Sequence, residues 1–280
     1  MQALRTIKSA ILATVVMVLG NNLFAQAWKT FSDTRIVHGH SVETGTSGSM
    51  KFVIGHRFGA VNGGFYEFFG LDQASTRLSL DYSATNNLAF GLGRSSYLKT
   101  FDGYAKWSIA KQEGEKHSFP VSITWMTNMT LNSIKWANPN RKNYFTSRLG
   151  YAHQLLIARK FGQKLSVQVA PTMVHRNLVT FAGDKHDIFA VGVAARYKLK
   201  GLFGLNFECF LLPPGQLPPV SKSAVSVGFD IKTERHAFQI FVSNSRNMVE
   251  RYIITETTGD LAKADLFIGF NISRDFQLKH

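Results

Sequence analysis

Positively charged residues occur at alternate positions in several apolar stretches, and they are the clearest candidates for chemistry. Successive side chains of a β-strand point to opposite faces, so a cation between two apolar residues lies on the opposite face. Rings of arginine and lysine in a pore favour anions. If the apolar rows face lipid, the candidates for an anion path inside a barrel are Arg57, Arg77, Arg94, Lys106 and Arg148.

The same charges also have a structural interpretation, in which they pair across the interior and fill it. Lys51 belongs to the inward set, and the acidic residues predicted on that face are Asp81, Glu208 and Asp230. Arg77 with Asp81 would be one element of such a plug. A barrel of about twelve strands is wider than an eight-stranded barrel, which side chains fill, and narrower than a conducting porin. The sequence therefore allows either a narrow anion path or a structural plug.

The histidines give weaker signals. His38 and His40 form a His-x-His pair, which can chelate a metal if it lies in a strand, but Glu43 is its only nearby acidic partner. We therefore predict no metal site and no cofactor. His153 falls on the apolar face of a predicted membrane strand, which indicates either a subunit contact or an error of register there.

Few residues suggest catalysis. Serine and histidine are plentiful, but neither a nucleophile elbow nor a spaced pair of acids stands out. The single cysteine, Cys209, lies in a strand pattern and is predicted to be a small apolar filler. A net charge of +14 without a nucleic-acid motif does not indicate a nucleic-acid partner. We predict a protein that is not an enzyme and has no catalytic residues.

Apolar and polar residues alternate in segments of about 8–12 residues, as strands require. Leu78, Leu80 and Tyr82, for example, share one face of such a segment. The predicted strands lie near residues 50–58, 74–82, 88–94, 103–111, 121–125, 147–161, 165–170, 189–197, 205–209, 225–231, 238–242 and 266–272.

The connections between these strands alternate in length. We predict long ones at 59–73, 95–102, 129–146, 175–187, 212–223 and 244–264, and shorter ones at 85–87, 111–118, 162–163, 199–201 and 233–236. Transmembrane barrels have short periplasmic turns and long extracellular loops. The sequence therefore predicts an all-β fold, a closed antiparallel transmembrane β-barrel of about 12 strands.

The N-terminus has the features of a signal peptide. Arg5 and Lys8 precede a short apolar run, and small residues follow near Ala25 and Ala27. We predict a cleaved signal peptide over residues 1–25, a periplasmic N-terminal segment over 26–49 and the barrel over 50–280. An uncleaved anchor is the alternative for residues 1–25, and the N-terminal segment is either a plug or a docking handle.

The predicted surroundings follow from aromatic content and loop charge. The 23 Phe, 8 Tyr and 4 Trp suit the aromatic girdles of a barrel in the bacterial outer membrane, and Phe276 near the C-terminus suits recognition by the barrel-assembly machinery. Loop cations are expected to bind lipopolysaccharide phosphates, and these are Arg141, Lys142, Arg176 and Lys185. The sequence also allows a partner in the periplasm or the membrane.

Several phrases of the sequence resemble an uncharacterised family of outer-membrane β-barrels, a domain of unknown function of the DUF5777 type. The phrases lie at residues 34–41, 69–74, 93–97, 136–145, 154–161 and 171–178. The resemblance implies the barrel and its location, and it implies no activity.

Three functions stay open on these observations. The first is a narrow pore for small anionic or amphiphilic solutes, which the basic interior favours. The second is a structural or partner-docking barrel without a conducting lumen. The third is an outer-membrane enzyme acting on lipid or cell-surface polymer, which would need a serine, a histidine and an acid within hydrogen-bond reach.

Overall fold

A computed structural model of the chain describes residues 29–112, 119–179, 181 and 183–278. Its strands form a closed antiparallel barrel in which each strand pairs with its sequence neighbours and the first pairs with the last. The predicted fold class is confirmed. The strands are β1 (Ser49–Ala60), β2 (Ala74–Ser83), β3 (Leu88–Ser95), β4 (Thr100–Ala110), β5 (Ser122–Asn132), β6 (Leu149–Phe161), β7 (Leu165–Arg176), β8 (Asp187–Lys198), β9 (Phe203–Leu211), β10 (Val225–Lys232), β11 (His236–Ser243) and β12 (Phe267–Gln277).

The burial pattern of the strands fixes which face is inside. In β2, Leu78 and Leu80 are about half exposed, whereas Arg77 and Asp81 on the other face are buried. The apolar rows therefore face outward and the polar rows face the interior. This is the arrangement of a barrel whose outer surface lies in lipid.

The two ends of the barrel differ in their connections. At the loop end the chain makes long excursions over residues 61–73, 133–148, 177–186, 212–224 and 244–266. Two predicted lengths were wrong: residues 96–99 at the loop end form a short connection, and residues 111–121 at the opposite, turn end form a long one. Short turns characterise the periplasmic side of such barrels, so the turn end corresponds to the predicted periplasmic face.

The N-terminal segment enters the lumen from the turn end. Residues 29–48 fold back on themselves, with an isolated β-bridge between Arg35 and His40. The Ile36 N–H donates to the Gly39 carbonyl oxygen at 3.0 Å and closes the tip. We call residues 29–48 the N-terminal hairpin. Its buried apolar side chains are Phe31, Ile36, Val37 and Val42.

A second segment enters from the loop end. Helix α1 (Glu250–Thr255) lies within the loop 244–266, and all its residues are buried. Ile253 and Ile254 pack in one apolar cluster with wall residues such as Ile188. The hairpin and α1 thus occupy the lumen from opposite ends.

The remaining helical pieces are short 3₁₀ segments in the loops, of which Phe65–Gly70 contains a kink: Val61–Gly63, Phe65–Gly70, Tyr97–Lys99, Phe145–Arg148 and Leu261–Lys263. None of the helices within the described ranges is long and apolar enough to span a membrane. The predicted signal peptide, residues 1–25, lies outside the described residues.

Candidate functional site

Three of the predicted lumen cations do face the interior. Arg57, Arg77 and Lys106 are buried, with exposed fractions of 2%, 5% and 1%. They project from β1, β2 and β4, at positions that alternate with outward apolar residues. The structure thus brings these three into the lumen, and their role in an anion path stays a prediction.

The other two predicted lumen cations lie elsewhere, so their inward placement was wrong. Arg94 is exposed on the outer face of β3, and its guanidinium lies 5.2 Å from the Phe101 ring centroid. Arg148 precedes β6 in a 3₁₀ turn and donates to the carbonyl oxygens of Asn132 and Ile134 at 2.7 and 2.5 Å. It therefore holds the 133–148 loop and does not line the lumen.

Glu208 of β9 holds the tip of the N-terminal hairpin. Its carboxylate accepts hydrogen bonds from the successive N–H groups of Val37, His38 and Gly39, at 3.3, 3.2 and 3.0 Å. Successive backbone N–H groups at a turn form a concave anion-binding site, and here the anion is a wall side chain. A Cβ at Gly39 would lie 3.3 Å from Glu208 Oε2, so glycine permits the close approach.

Lys106 of β4 holds the two arms of the hairpin. Its ammonium donates to the carbonyl oxygen of Ser41 at 2.7 Å and also to that of Glu43. The Thr34 carbonyl oxygen lies at 3.5 Å. A buried ammonium without partners would be costly, so the hairpin carbonyls satisfy a charge that the wall leaves unpaired.

Neutral wall side chains complete the contact by donating to further hairpin carbonyl oxygens. Each bond is 2.8 Å long, and the pairs are Gln168 with His40, Gln239 with Ile36, Asn271 with Val37 and Thr124 with Val42. The wall therefore recognises the main chain of the hairpin at many points. The strand pattern places these side chains inward, but alternation does not indicate which of them bind a segment of the same chain.

Arg57 contacts both the wall and the hairpin. One guanidinium nitrogen donates to Asn271 Oδ1 at 3.0 Å, and the other lies 3.2 Å from His38 Nδ1. The guanidinium also lies 4.3 Å from the Phe241 ring centroid. Arg57 is thus held in place mainly by polar and aromatic groups and faces the hairpin.

At the turn end, an ionic cluster joins the base of the hairpin to the barrel. Asp33 contacts Lys51 directly and lies 3.6 Å from Lys232, and both lysines also contact Asp275, at 3.3 and 2.9 Å. Burial alone would raise the pKa of Asp33, but the two lysines outweigh it and hold the pKa well below its usual range. Asp33 is therefore ionised at neutral pH.

Near the loop end, the hairpin touches α1. Glu250 Oε1 lies 3.8 Å from the Arg35 guanidinium and 3.5 Å from His40 Nε2. Burial, and then the charge of Arg35, lower the pKa of His40 well below its usual value, so its ring is neutral at pH 7. Arg35 therefore supplies the positive charge that faces Glu250.

Bidentate ion pairs also form between residues of the wall. Arg77 makes two bonds to Asp102, at 2.9 and 2.5 Å, and Arg196 makes two bonds to Asp230, at 2.9 and 2.8 Å. The predicted pairing of Arg77 with Asp81 was wrong, because β4 brings Asp102 into bidentate contact. These pairs do not depend on the hairpin.

The histidine predictions have different outcomes. His153 faces outward and hydrogen bonds Thr127 at 3.0 Å, so its predicted face is confirmed. His38 and His40 both point into the packed lumen. Within the ranges that the structure describes, no three His, Cys, Asp or Glu side chains are grouped closely enough to hold a metal ion.

A cavity lies at each end of the plugged lumen. The turn-end cavity measures about 270 Å³ and is lined by Asp33, Lys51 and Lys232, among others. The loop-end cavity measures about 480 Å³ and is lined by residues of the loops 177–186, 212–224 and 244–266. Arg176, predicted as a surface loop cation, is instead buried beside the loop-end cavity.

The family model described as a membrane bound beta barrel domain (DUF5777) matches residues 31–276. No curated protein matches the chain. The match begins at Phe31 in the hairpin and ends at Phe276, one residue before the end of β12, so it covers nearly all of the assembly described above.

Several solved outer-membrane barrels have similar structures. The NanC porin is 9% identical with a TM-score of 0.53, covering 82% of this chain and 100% of that one. The KdgM porin is 11% identical with a TM-score of 0.48, covering 81% of this chain and 99% of that one. Outer membrane phospholipase A from Escherichia coli is 11% identical with a TM-score of 0.45, covering 82% of this chain and 91% of that one. The likeness to the NanC porin shows a shared fold only, and the two weaker likenesses add nothing to it.

Proposed function

Because the chain belongs to the family of membrane-bound β-barrel domains DUF5777, we propose that it is a bacterial outer-membrane barrel that conducts small anionic solutes when its N-terminal hairpin leaves the lumen. The predicted signal peptide over residues 1–25 and the outward apolar rows support this location. The hairpin acts as the gate, and the basic wall behind it acts as the anion-selective path.

The observation that carries the proposal is which groups accept the hydrogen bonds of the Lys106 ammonium. Its described hydrogen-bond partners are all main-chain oxygens of the hairpin. When the hairpin withdraws, Lys106 and Arg57 lose their hairpin partners and so does Glu208, so two cations and one carboxylate then face the lumen. Fixed cations in a narrow passage lower the barrier for anions and raise it for cations.

A structural barrel that never conducts is the alternative, and the number of bonds between wall and hairpin favours it. Both functions predict a closed lumen in the resting state. They differ in whether the hairpin can leave, and an experiment that holds or frees the hairpin separates them. The enzyme alternative gains no support from the likeness to outer membrane phospholipase A, which has a TM-score of 0.45.

The experiment locks the hairpin to the wall with a disulfide. Thr30 Oγ1 lies 2.9 Å from Ser122 Oγ on β5, so Thr30→Cys with Ser122→Cys brings two thiols together. Cys209→Ala removes the only native thiol and serves as the matched background. Single-channel currents and reversal potentials are recorded in planar bilayers, oxidised and then reduced.

We expect no current from the oxidised protein and anion-selective openings after reduction. The Cys209→Ala background should open equally under both conditions. Equal currents from the locked and reduced forms would show that ions pass without hairpin movement. Silence of the reduced form and of the background, with insertion verified by heat-modifiable gel migration, would favour the structural barrel.

A further inference from the structure

The lumen wall meets the tip of the N-terminal hairpin with groups that match a polypeptide main chain. Glu208 accepts hydrogen bonds from three successive N–H groups at the tip. The carbonyl oxygens on either side of the tip accept from wall donors, which are Gln239, Asn271, Lys106, Gln168 and Thr124. Every residue except proline carries one donor and one acceptor on its main chain, so this series of groups fits a turning polypeptide. A sugar or an inorganic anion presents no three adjacent N–H donors.

Part of this site keeps its shape without the hairpin. The Arg57 guanidinium donates to Asn271 Oδ1 at 3.0 Å, and Asn271 Nδ2 donates to Gln239 Oε1 at 2.8 Å. Both bonds join wall residues, so the Asn271 amide stays oriented when the hairpin leaves. A site that is already ordered loses less conformational freedom when a ligand binds.

The site makes few demands on the side chains at the tip. Ile36 and Val37 are buried in an apolar cluster with wall side chains. Gly39 lies close to the wall, where an added Cβ would be 3.3 Å from both Glu208 Oε2 and Phe210 Cζ. A ligand with this fit therefore has apolar side chains before the turn and glycine within it.

We propose that the lumen, once the hairpin has left it, binds short peptides in which two apolar residues precede a turn at glycine. The wall bonds to main-chain groups, so peptides that differ at other positions share the site. The inference names a ligand class for the same lumen and rests on the proposed function, because the site opens only when the hairpin leaves. Binding needs no ion current, so the two are measured separately.

A full-length double variant keeps the wall intact and weakens the hairpin. Gly39→Pro removes one N–H donor to Glu208, and Asp33→Asn removes the ionic anchor at the turn end. Hydrogen exchange at the Val37 amide should accelerate by at least about 10-fold, while heat-modifiable gel migration shows that the barrel is folded. A hairpin that stays protected would overturn the inference, because main-chain bonds would then not be what holds it.

The probe is a labelled peptide of residues 33–43, which carries all of these main-chain groups, and fluorescence anisotropy in detergent measures its binding. A matched peptide with N-methyl groups at positions 37, 38 and 39 loses the three donors and keeps every side chain. It should bind the double variant at least about 100-fold more weakly, because it leaves a buried carboxylate without donors. A peptide with His38→Gln keeps the main chain and should stay within about 10-fold of the parent peptide.

Variants of the wall supply the control. Glu208→Gln, added to the double variant, should weaken binding of the parent peptide by about 10-fold or more. Exposed Asp72→Asn removes the same charge in a loop and should leave binding unchanged. The native chain, whose hairpin occupies the lumen, should bind the parent peptide at least about 10-fold more weakly than the double variant.

Equal binding of the methylated and parent peptides would overturn the site, and so would an open double variant that binds neither. Loss of binding by the His38→Gln peptide would overturn recognition through the main chain. Peptide binding by a barrel that never conducts would overturn the proposed function and leave the site standing. Anion currents from a barrel that binds no peptide would do the reverse.

Discussion

The barrel interior holds two sets of buried charges that differ in what satisfies them. Arg77 with Asp102 and Arg196 with Asp230 form bidentate pairs within the wall. Lys106 and Glu208 bond to the main chain of the N-terminal hairpin instead. The first set keeps its partners when the hairpin leaves, whereas the second loses them.

This difference separates the groups that hold the barrel together from those that hold the hairpin in it. A wall pair that loses one member leaves a buried charge alone, which destabilises the fold. A hairpin anchor that is neutralised loosens one segment, and its wall position can be hydrated through the emptied lumen. The predictions below test this division, beginning with the largest effect.

Arg77→Ala should destabilise the barrel most, because it leaves Asp102 buried without its partner. Removing one member of a buried pair costs about 3–5 kcal/mol. Urea unfolding followed by heat-modifiable gel migration measures the change. The double variant Arg77→Leu with Asp102→Leu should recover most of the loss, and equal instability of the two variants would contradict a role through pairing.

Glu208→Gln should release the hairpin without unfolding the barrel. The variant replaces three charge-assisted bonds by weaker ones, a loss of about 1.5–3 kcal/mol in hairpin binding. Hydrogen exchange at the amides of Val37, His38 and Gly39 should accelerate by roughly 10- to 150-fold, following the conversion of 1.4 kcal/mol per factor of ten.

Exposed Asp72→Asn removes the same charge in a loop and is the control for that exchange measurement. It should leave the three amides protected. Unfolding of the whole barrel by Glu208→Gln, at a cost similar to Arg77→Ala, would remove the distinction between the two sets of charges.

Lys106→Gln should reduce anion preference in the reduced, hairpin-free state of the disulfide variant. The reversal potential in a salt gradient should move toward the value for a non-selective pore, because the substitution removes a fixed lumen cation. Arg57→Gln should act in the same direction. An unchanged reversal potential in both variants would place the path elsewhere.

Arg94→Ala should have the smallest effect. Its guanidinium faces outward over Phe101, and an exposed cation–π contact contributes about 0.5–1 kcal/mol. Selectivity should stay unchanged and urea stability should fall only slightly. A change of reversal potential as large as that of Lys106→Gln would contradict the outward placement.

The outward face of Arg94 is indicated by the sequence itself. Phe90, Leu92 and Arg94 stand at alternate positions of β3, so they share a face, and the apolar pair indicates that this face is outward. The prediction that Arg94 faces inward relied on its charge and not on its alternation with Phe90 and Leu92. Arg148 is different, because its alternation with Gly150 is broken by the 3₁₀ turn that only the folded loop reveals.

The sequence by itself determined the barrel, because alternation with period two is a local property of each strand and each strand pairs with its neighbours. The strand positions and the residues that share a face with His153 follow from that local pattern, whereas the inward direction of the polar rows was inferred from the alternating connection lengths. Wall charges such as Lys51, Asp81 and Glu208 were placed inward for the same reason.

Only the tertiary structure decided what those inward groups contact. The N-terminal hairpin has no periodic pattern, so plug and docking handle were equally compatible with its residues. The bonds from Glu208 to Val37, His38 and Gly39 join positions about 170 residues apart, as do many contacts inside a closed barrel. Their pairing depends on strand register and lumen width, which local periodicity does not encode.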